Sequence, residues 1–214
     1  MLYRRIFVLV VLLLFNFSVF SQEEKGKLTS SMMCLYAPGQ NIGKVVSETT
    51  SLGDNHVGYA YVELSGWSGK SIEGYGQFFW EQKWWKLPLF LHAEYRGVTM
   101  ASQYESTAYL GAAWCLYAKY GYVALEPLLM WKQNNGVGGQ FSIVGGWEWK
   151  RLLFEHYTDI WKAHKMTSAA DIYSQSRIFM NVYKRLSVGV IGTMFYSIGT
   201  SPNSNVFLAL KIKL

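Results

Sequence analysis

Charge is scarce in this chain. Only 16% of its residues are Asp, Glu, Lys or Arg, against roughly 25% in an ordinary soluble domain. That is too few to coat a water-soluble shell of this length. Cysteine is scarcer: Cys34 and Cys115 stand alone, in no metal-ligand spacing, and two thiols so far apart establish no disulfide. They read as isolated small side chains in strands. The formal surplus of +6 is scattered, and Arg4 and Arg5 supply part of it, which argues against a nucleic-acid polymer as partner. Beyond residue 20 no apolar run is long enough to cross a membrane as a helix, and no stretch keeps a helical period. There is no internal repeat and no low-complexity linker, and nothing calls for a cofactor or a metal.

What is present is aromatic. Fifteen Tyr, twelve Phe and nine Trp make 17% of the 214 residues. The length fits one substantial domain. Residues 1–21 read as a cleaved export signal: Arg4 and Arg5, then the apolar "IFVLVVLLLFNFSVF", then small Ser21. A retained anchor is the alternative, for which Ile6 to Phe20, interrupted by Asn16, is short. Residues 22–214 are then one exported domain, rich in Trp, Tyr and Gly.

Apolar residues recur at every second position. In "LFLHAEYRGV", Leu89, Leu91, Ala93 and Tyr95 fall on one face; Phe90, His92, Glu94 and Arg96 fall on the other. In "YVALEPLLMWK", Val123, Leu125, Pro127, Leu129 and Trp131 oppose Tyr122, Ala124, Glu126 and Lys132. "GQFSIVGGWEWK", "LLFEHYTDIW", "YSQSRIFMNVY" and "NVFLALKIKL" repeat the pattern, although His156 lands on the apolar side. Twelve strands are expected: 29–36, 45–51, 57–66, 72–83, 89–98, 105–118, 121–132, 139–149, 152–162, 172–183, 186–197 and 205–214. Ten remain if the first pair stays out of the wall. From residue 84 onward, tight turns alternate with longer connections ("TMASQYES", "KQNNGVGG", "KAHKMTSAADI", "GTSPNSN"). Outer-membrane barrels are wired this way, whereas a soluble sandwich or lipocalin has no reason to be.

Alternation alone does not say which face is wet. Low charge, Trp131, Trp147, Trp149 and Trp161 at or near strand ends, and an apolar stripe running to Leu214 all favour lipid outside. The fold class is therefore all-β: a transmembrane antiparallel up-and-down barrel in the bacterial outer membrane. Its surroundings would be outer-membrane lipid, with the insertion machinery reading the C-terminal strand. Inside would lie His92, Glu94, Arg96, Glu126, Glu155, Asp159, Arg177, Tyr75, Gln77, Glu81, Tyr109, Tyr117 and Phe179, together with Tyr59, Tyr61, Glu63 and Glu73. Charges at membrane depth persist only where they face water or a partner.

At "FFWEQKWWKLPLFLHAEYRG", "YLGAAW", "FSIVGGWEW" and "LLFEHYTDIWK" the chain resembles an uncharacterised family of Gram-negative outer-membrane barrels grouped with the Tsx-like nucleoside channels. The resemblance covers roughly residues 45–214. It implies a twelve-stranded monomeric barrel with a narrow lumen that passes nucleosides or similar small solutes.

Three function classes stand side by side. A diffusion channel would use Tyr and Phe faces for stacking and the interior charges for hydrogen bonding, binding weakly enough to release. A closed barrel would serve as an anchor or present loops. A lipid hydrolase has ingredients in His92, His156 and Glu94, but nothing local marks a nucleophile.

Overall fold

The computed structural model describes residues 27–38, 42–66, 73–84, 87–100, 103–166 and 169–214. The expected export signal, residues 1–21, lies outside them. Twelve strands follow in order: β1 Lys27–Ala37, β2 Ile42–Leu52, β3 His56–Ser65, β4 Glu73–Lys83, β5 Leu89–Met100, β6 Gln103–Ala118, β7 Gly121–Lys132, β8 Gly136–Trp149, β9 Leu152–Ala163, β10 Asp171–Tyr183, β11 Leu186–Ser197 and β12 Asn203–Lys213. Each pairs antiparallel with its neighbours, and β1 pairs with both β2 and β12. The sheet closes. The first pair is in the wall, so ten strands are excluded.

Closure satisfies the backbone: no edge is left to expose unpaired N–H and C=O groups to lipid. The outer face is then free to be apolar, and it is. Leu91, Tyr95, Leu110, Leu129, Ile178, Met180, Val190, Leu208 and Leu210 all present exposed side chains. An exterior like this belongs in lipid, because soluble monomers do not expose continuous apolar surface. Cys34 is exposed and Cys115 buried, and both are free thiols. They sit on opposite faces of distant strands, β1 and β6, as isolated small side chains.

The connections depart from strict alternation. β5 runs to Met100 and β6 begins at Gln103, so most of "TMASQYES" is strand. Likewise β7 and β8 leave only 133–135 between them, with Asn134 at φ 70°. The connection 84–88 at the other end is longer than 101–102. Polar side chains with strand-compatible backbones extended the hairpins beyond the expected wall. At that end, 164–170 keeps the length expected of it.

Trp131, Trp147 and Trp149 project outward near strand ends, as an interfacial girdle requires. Trp114 joins them, and Trp80 stacks on His56 with ring centroids 4.6 Å apart. Trp161 does not belong to the girdle. It pairs with Gln140 and Asp171 on the inward register and packs against Tyr109, Leu128 and Met130. Period two places it with Asp159 and Tyr157, and that parity outweighs its position near a strand end.

His156 is outside, where its parity put it. It survives there because the neighbouring outward hydroxyls satisfy it. Thr158 donates to Ser174 Oγ (3.0 Å), which leaves Thr158 Oγ1 to accept from His156 Nε2 (3.0 Å). The Ser176 hydroxyl then donates to Nδ1 (2.8 Å). Both ring nitrogens therefore have a hydroxyl partner, and the imidazole is a structural group of the outer wall.

An arginine on the outer wall should reveal the depth of the lipid. Ile178→Arg, near the middle of β10, is expected to cost about 2–4 kcal/mol, and Tyr183→Arg at the rim about 0–1 kcal/mol. Chemical unfolding in lipid vesicles measures both. Equal costs at the two positions would contradict a lipid-facing wall.

Candidate functional site: a bridged, acidic interior

The interior is built from alternate residues of every strand, and its chemistry is divided. Apolar side chains gather on one side: Met33 and Leu35 of β1, Val46 of β2, Phe179 of β10, Ile191 of β11 and Phe207 of β12 form one buried cluster. Phe90, Ala113, Cys115 and Ala124 form a second, and Tyr109, Leu128, Met130 and Ala163 a third. Between them runs a belt of charges and hydroxyls.

Arg96 of β5 holds the first half of the belt. Its Nε and Nη2 fork onto the two oxygens of Glu94, the second bond at 3.2 Å. Its Nη1 reaches Asp159 of β9 at 2.6 Å. β5 and β9 are four strands apart around the wall, so this bond crosses the lumen. The guanidinium also lies over the Tyr109 ring, 4.7 Å from its centroid, and a cation over a ring face gains further attraction. Gln77 Nε2 donates to Glu94 Oε1 at 2.6 Å, and Tyr75 donates to Gln77 at 3.2 Å.

Arg177 of β10 holds the second half. Its Nη1 bonds Glu48 of β2 and lies 3.7 Å from Glu155, while its Nε donates to Gln175 at 2.6 Å. β10 and β2 are again four strands apart, counted through β11, β12 and β1. Lys211 Nζ and the Tyr59 hydroxyl add bonds to Glu48 at 3.2 and 3.1 Å. Near the end of the wall away from the chain termini, Lys44 pairs with Glu63 at 2.6 Å, and Tyr61 donates to Glu63 at 2.6 Å.

The expected interior residues fall mostly where parity put them. His92, Glu94, Glu126, Asp159, Arg177, Glu81, Tyr109 and Phe179 are buried. Tyr75, Gln77, Arg96, Glu155, Tyr59, Tyr61 and Glu63 face inward with the belt. Glu73 opens onto the strand end. Tyr117 is the exception: it keeps the inward parity of Cys115, yet it is 67% exposed and lies beside Tyr122 at the rim. The barrel ends before its ring can enter the lumen.

Sequence reasoning missed Glu48 and Lys211 as site residues. "KVVSETTS" pairs like with like at Val45–Val46 and Thr49–Thr50, so its parity is blurred. Glu48 is nonetheless the only acid of β2, and that was the available signal. Spacing also gave no hint of a metal centre, yet Glu81, His92 and Glu126 converge from three strands.

Counting the belt gives its electrostatic sign. Glu48, Glu63, Glu81, Glu94, Glu126, Glu155 and Asp159 outnumber Lys44, Arg96, Arg177 and Lys211 by three. The interior is acidic, although the whole chain is basic.

No family model matches the chain, and no curated protein matches it in sequence. Solved structures do. It is similar to the KdgM porin in complex with disordered oligogalacturonate, at 10% identity and a TM-score of 0.53, over 87% of this chain and 98% of that one. It is also similar to the NanC porin, at 9% identity and a TM-score of 0.58, over 86% and 98% of the two chains. At such identities the likeness is one of fold: this chain has the barrel architecture of outer-membrane porins.

Proposed function

We propose that the protein is an outer-membrane channel for small neutral or cationic solutes, narrowed by two ion-pair bridges across its lumen. The carrying observation is the bridged acidic belt: Arg96 reaches Asp159, Arg177 reaches Glu48, and acids remain in excess. An acidic passage repels anions by ordinary electrostatics and concentrates cations. One of the similar porins is described with oligogalacturonate, a polyanion. The interior charge of this chain argues for a different solute class on the same architecture.

Nucleoside-like solutes are the finer reading, which rests on the resemblance to Tsx-like channels. Tyr59, Tyr61, Tyr75 and Tyr109 supply ring faces along the belt. The acids and amides beside them supply acceptors and donors for hydroxyls and ring edges. A permanently closed barrel is the second reading. The apolar clusters and the bridges favour it, because both fill space that a pore needs.

Planar-bilayer recordings separate these readings. The channel should show a small conductance and a reversal potential favouring K⁺ over Cl⁻ in a salt gradient. Arg96→Ala with Arg177→Ala should raise the conductance several-fold and sharpen that preference. If the double variant inserts and stays silent, the channel is wrong and the closed barrel stands. Preference for Cl⁻ would contradict the acidic belt.

Stability should report on the same bridge. Removing Asp159 leaves Arg96 its fork on Glu94 but strands the inward Nη1 donor, at a cost of about 1–3 kcal/mol. Asp159→Asn is expected to lose less than Asp159→Ala, because the amide oxygen still accepts from Arg96. Unfolding midpoints in detergent measure the difference, and equal losses would mean that the bond across the lumen contributes little.

A further inference from the structure

We propose that Glu81, His92 and Glu126 form a binding site for one divalent transition-metal cation on the inner wall of the barrel. One ligand atom from each residue lies within 4.8 Å of the other two, and all three residues are buried. They come from β4, β5 and β7, so the cluster is a product of register rather than of sequence spacing. His92 stands opposite Glu81 on one side and Gly111 on the other. The intervening strand β6 presents only Gly111 and Ala113 inward at this level, and neither blocks the approach of Glu126 from β7. A Cβ on Gly111 would meet Pro127 O at 2.2 Å and Leu128 Cα at 3.0 Å, so the strand is held to glycine here.

Acidic clusters are common without metal, and the independent observation is Glu126. Its side chain is 8% exposed, yet among the described residues its carboxylate takes part in no hydrogen bond or ion pair. A buried carboxylate without a partner is expensive, and this one is aimed into the cluster. Arg96, the arginine of this half of the belt, is committed to Glu94 and Asp159. Among the described residues, Glu81 has only His92 as a side-chain partner.

The histidine is arranged as metal-ligating histidines are. Nε2 lies 3.3 Å from Glu94 Oε2, and Glu94 is fixed in turn by Arg96 and Gln77. A carboxylate on one ring nitrogen orients the ring and raises the basicity of the other. That other nitrogen, Nδ1, faces Glu81 Oε1 at 3.0 Å, beside Glu126. A cation there would exchange the Glu81 hydrogen bond for two carboxylate ligands and one imidazole, with solvent completing the set. Mixed oxygen and imidazole donors suit Zn²⁺ and its first-row neighbours; Ca²⁺ and Mg²⁺ prefer oxygen alone.

The test uses the untagged barrel, refolded in detergent micelles, with Zn²⁺ as the probe. Equilibrium dialysis should give one Zn²⁺ per barrel, undisplaced by equal Ca²⁺ or Mg²⁺. Glu126→Gln should weaken binding at least tenfold, while Glu148→Gln, which alters an exposed carboxylate at a strand end, should leave it unchanged. Retained affinity in folded Glu126→Gln, or no bound Zn²⁺ at all, overturns the site. Should Glu126→Gln fail to fold, X-ray absorption of the Zn²⁺-loaded wild type decides alone: one imidazole with oxygen ligands supports the site, and a shell without imidazole overturns it. Neither readout requires conduction. A silent bilayer therefore leaves the metal site standing, and absent Zn²⁺ leaves the channel standing.

Discussion

Everything in this barrel follows from the pairing of β1 with β12. Once the sheet closes, every strand has two neighbours and the wall has no edge. Backbone polar groups are then met within the wall itself, as lipid demands. Side chains are released from that duty and can divide by parity, apolar to the outside and polar to the inside. A one-residue slip anywhere would exchange the two faces. Register is therefore what the fold must hold, and the inward charges are the reason a slip is costly: it would deliver Arg96, Arg177 or Glu48 to hydrocarbon.

Inside, the problem is reversed. Packing leaves little water to solvate seven acids, so each must find a partner or be costly. Glu94 has the fork of Arg96, Gln77 and His92; Glu48 has Arg177, Lys211 and Tyr59. Pairing across the lumen also fixes the distance between opposite walls, which strand pairing alone does not. The belt is thus a brace as well as a candidate selectivity element. Glu126 is where the pairing runs out, and the acid surplus leaves the interior net negative.

Period two made the wall legible from sequence. The eight strands from residue 89 onward, and the sharing of one face by His92, Glu94 and Arg96, follow from alternation. Low charge and the terminal apolar stripe turn that face inward, and the four upstream strands rest on a weaker pattern. What alternation cannot supply is height. Tyr117 has the right parity, but it stands at the rim, and Trp161 looked interfacial although its parity turns it inward. Hairpin length escaped for a related reason, because polar residues past the membrane boundary still pair. Contacts between strands two or four apart were out of reach. The meeting of Glu81, His92 and Glu126 depends on shear and on the small inward residues of β6, and no local pattern encodes either.

The bridges across the lumen also bear on time. Arg177 and Glu48 are 129 positions apart in sequence, and Arg96 and Asp159 are 63 apart. Hairpins form from near neighbours, while such distant pairs must wait until the loop between them has been closed. Neither arginine can meet its far partner until the curved sheet has brought opposite walls together. The bridges are therefore late events in assembly, and a chain that has formed its hairpins but not its seam holds Glu48 and Asp159 without their arginines.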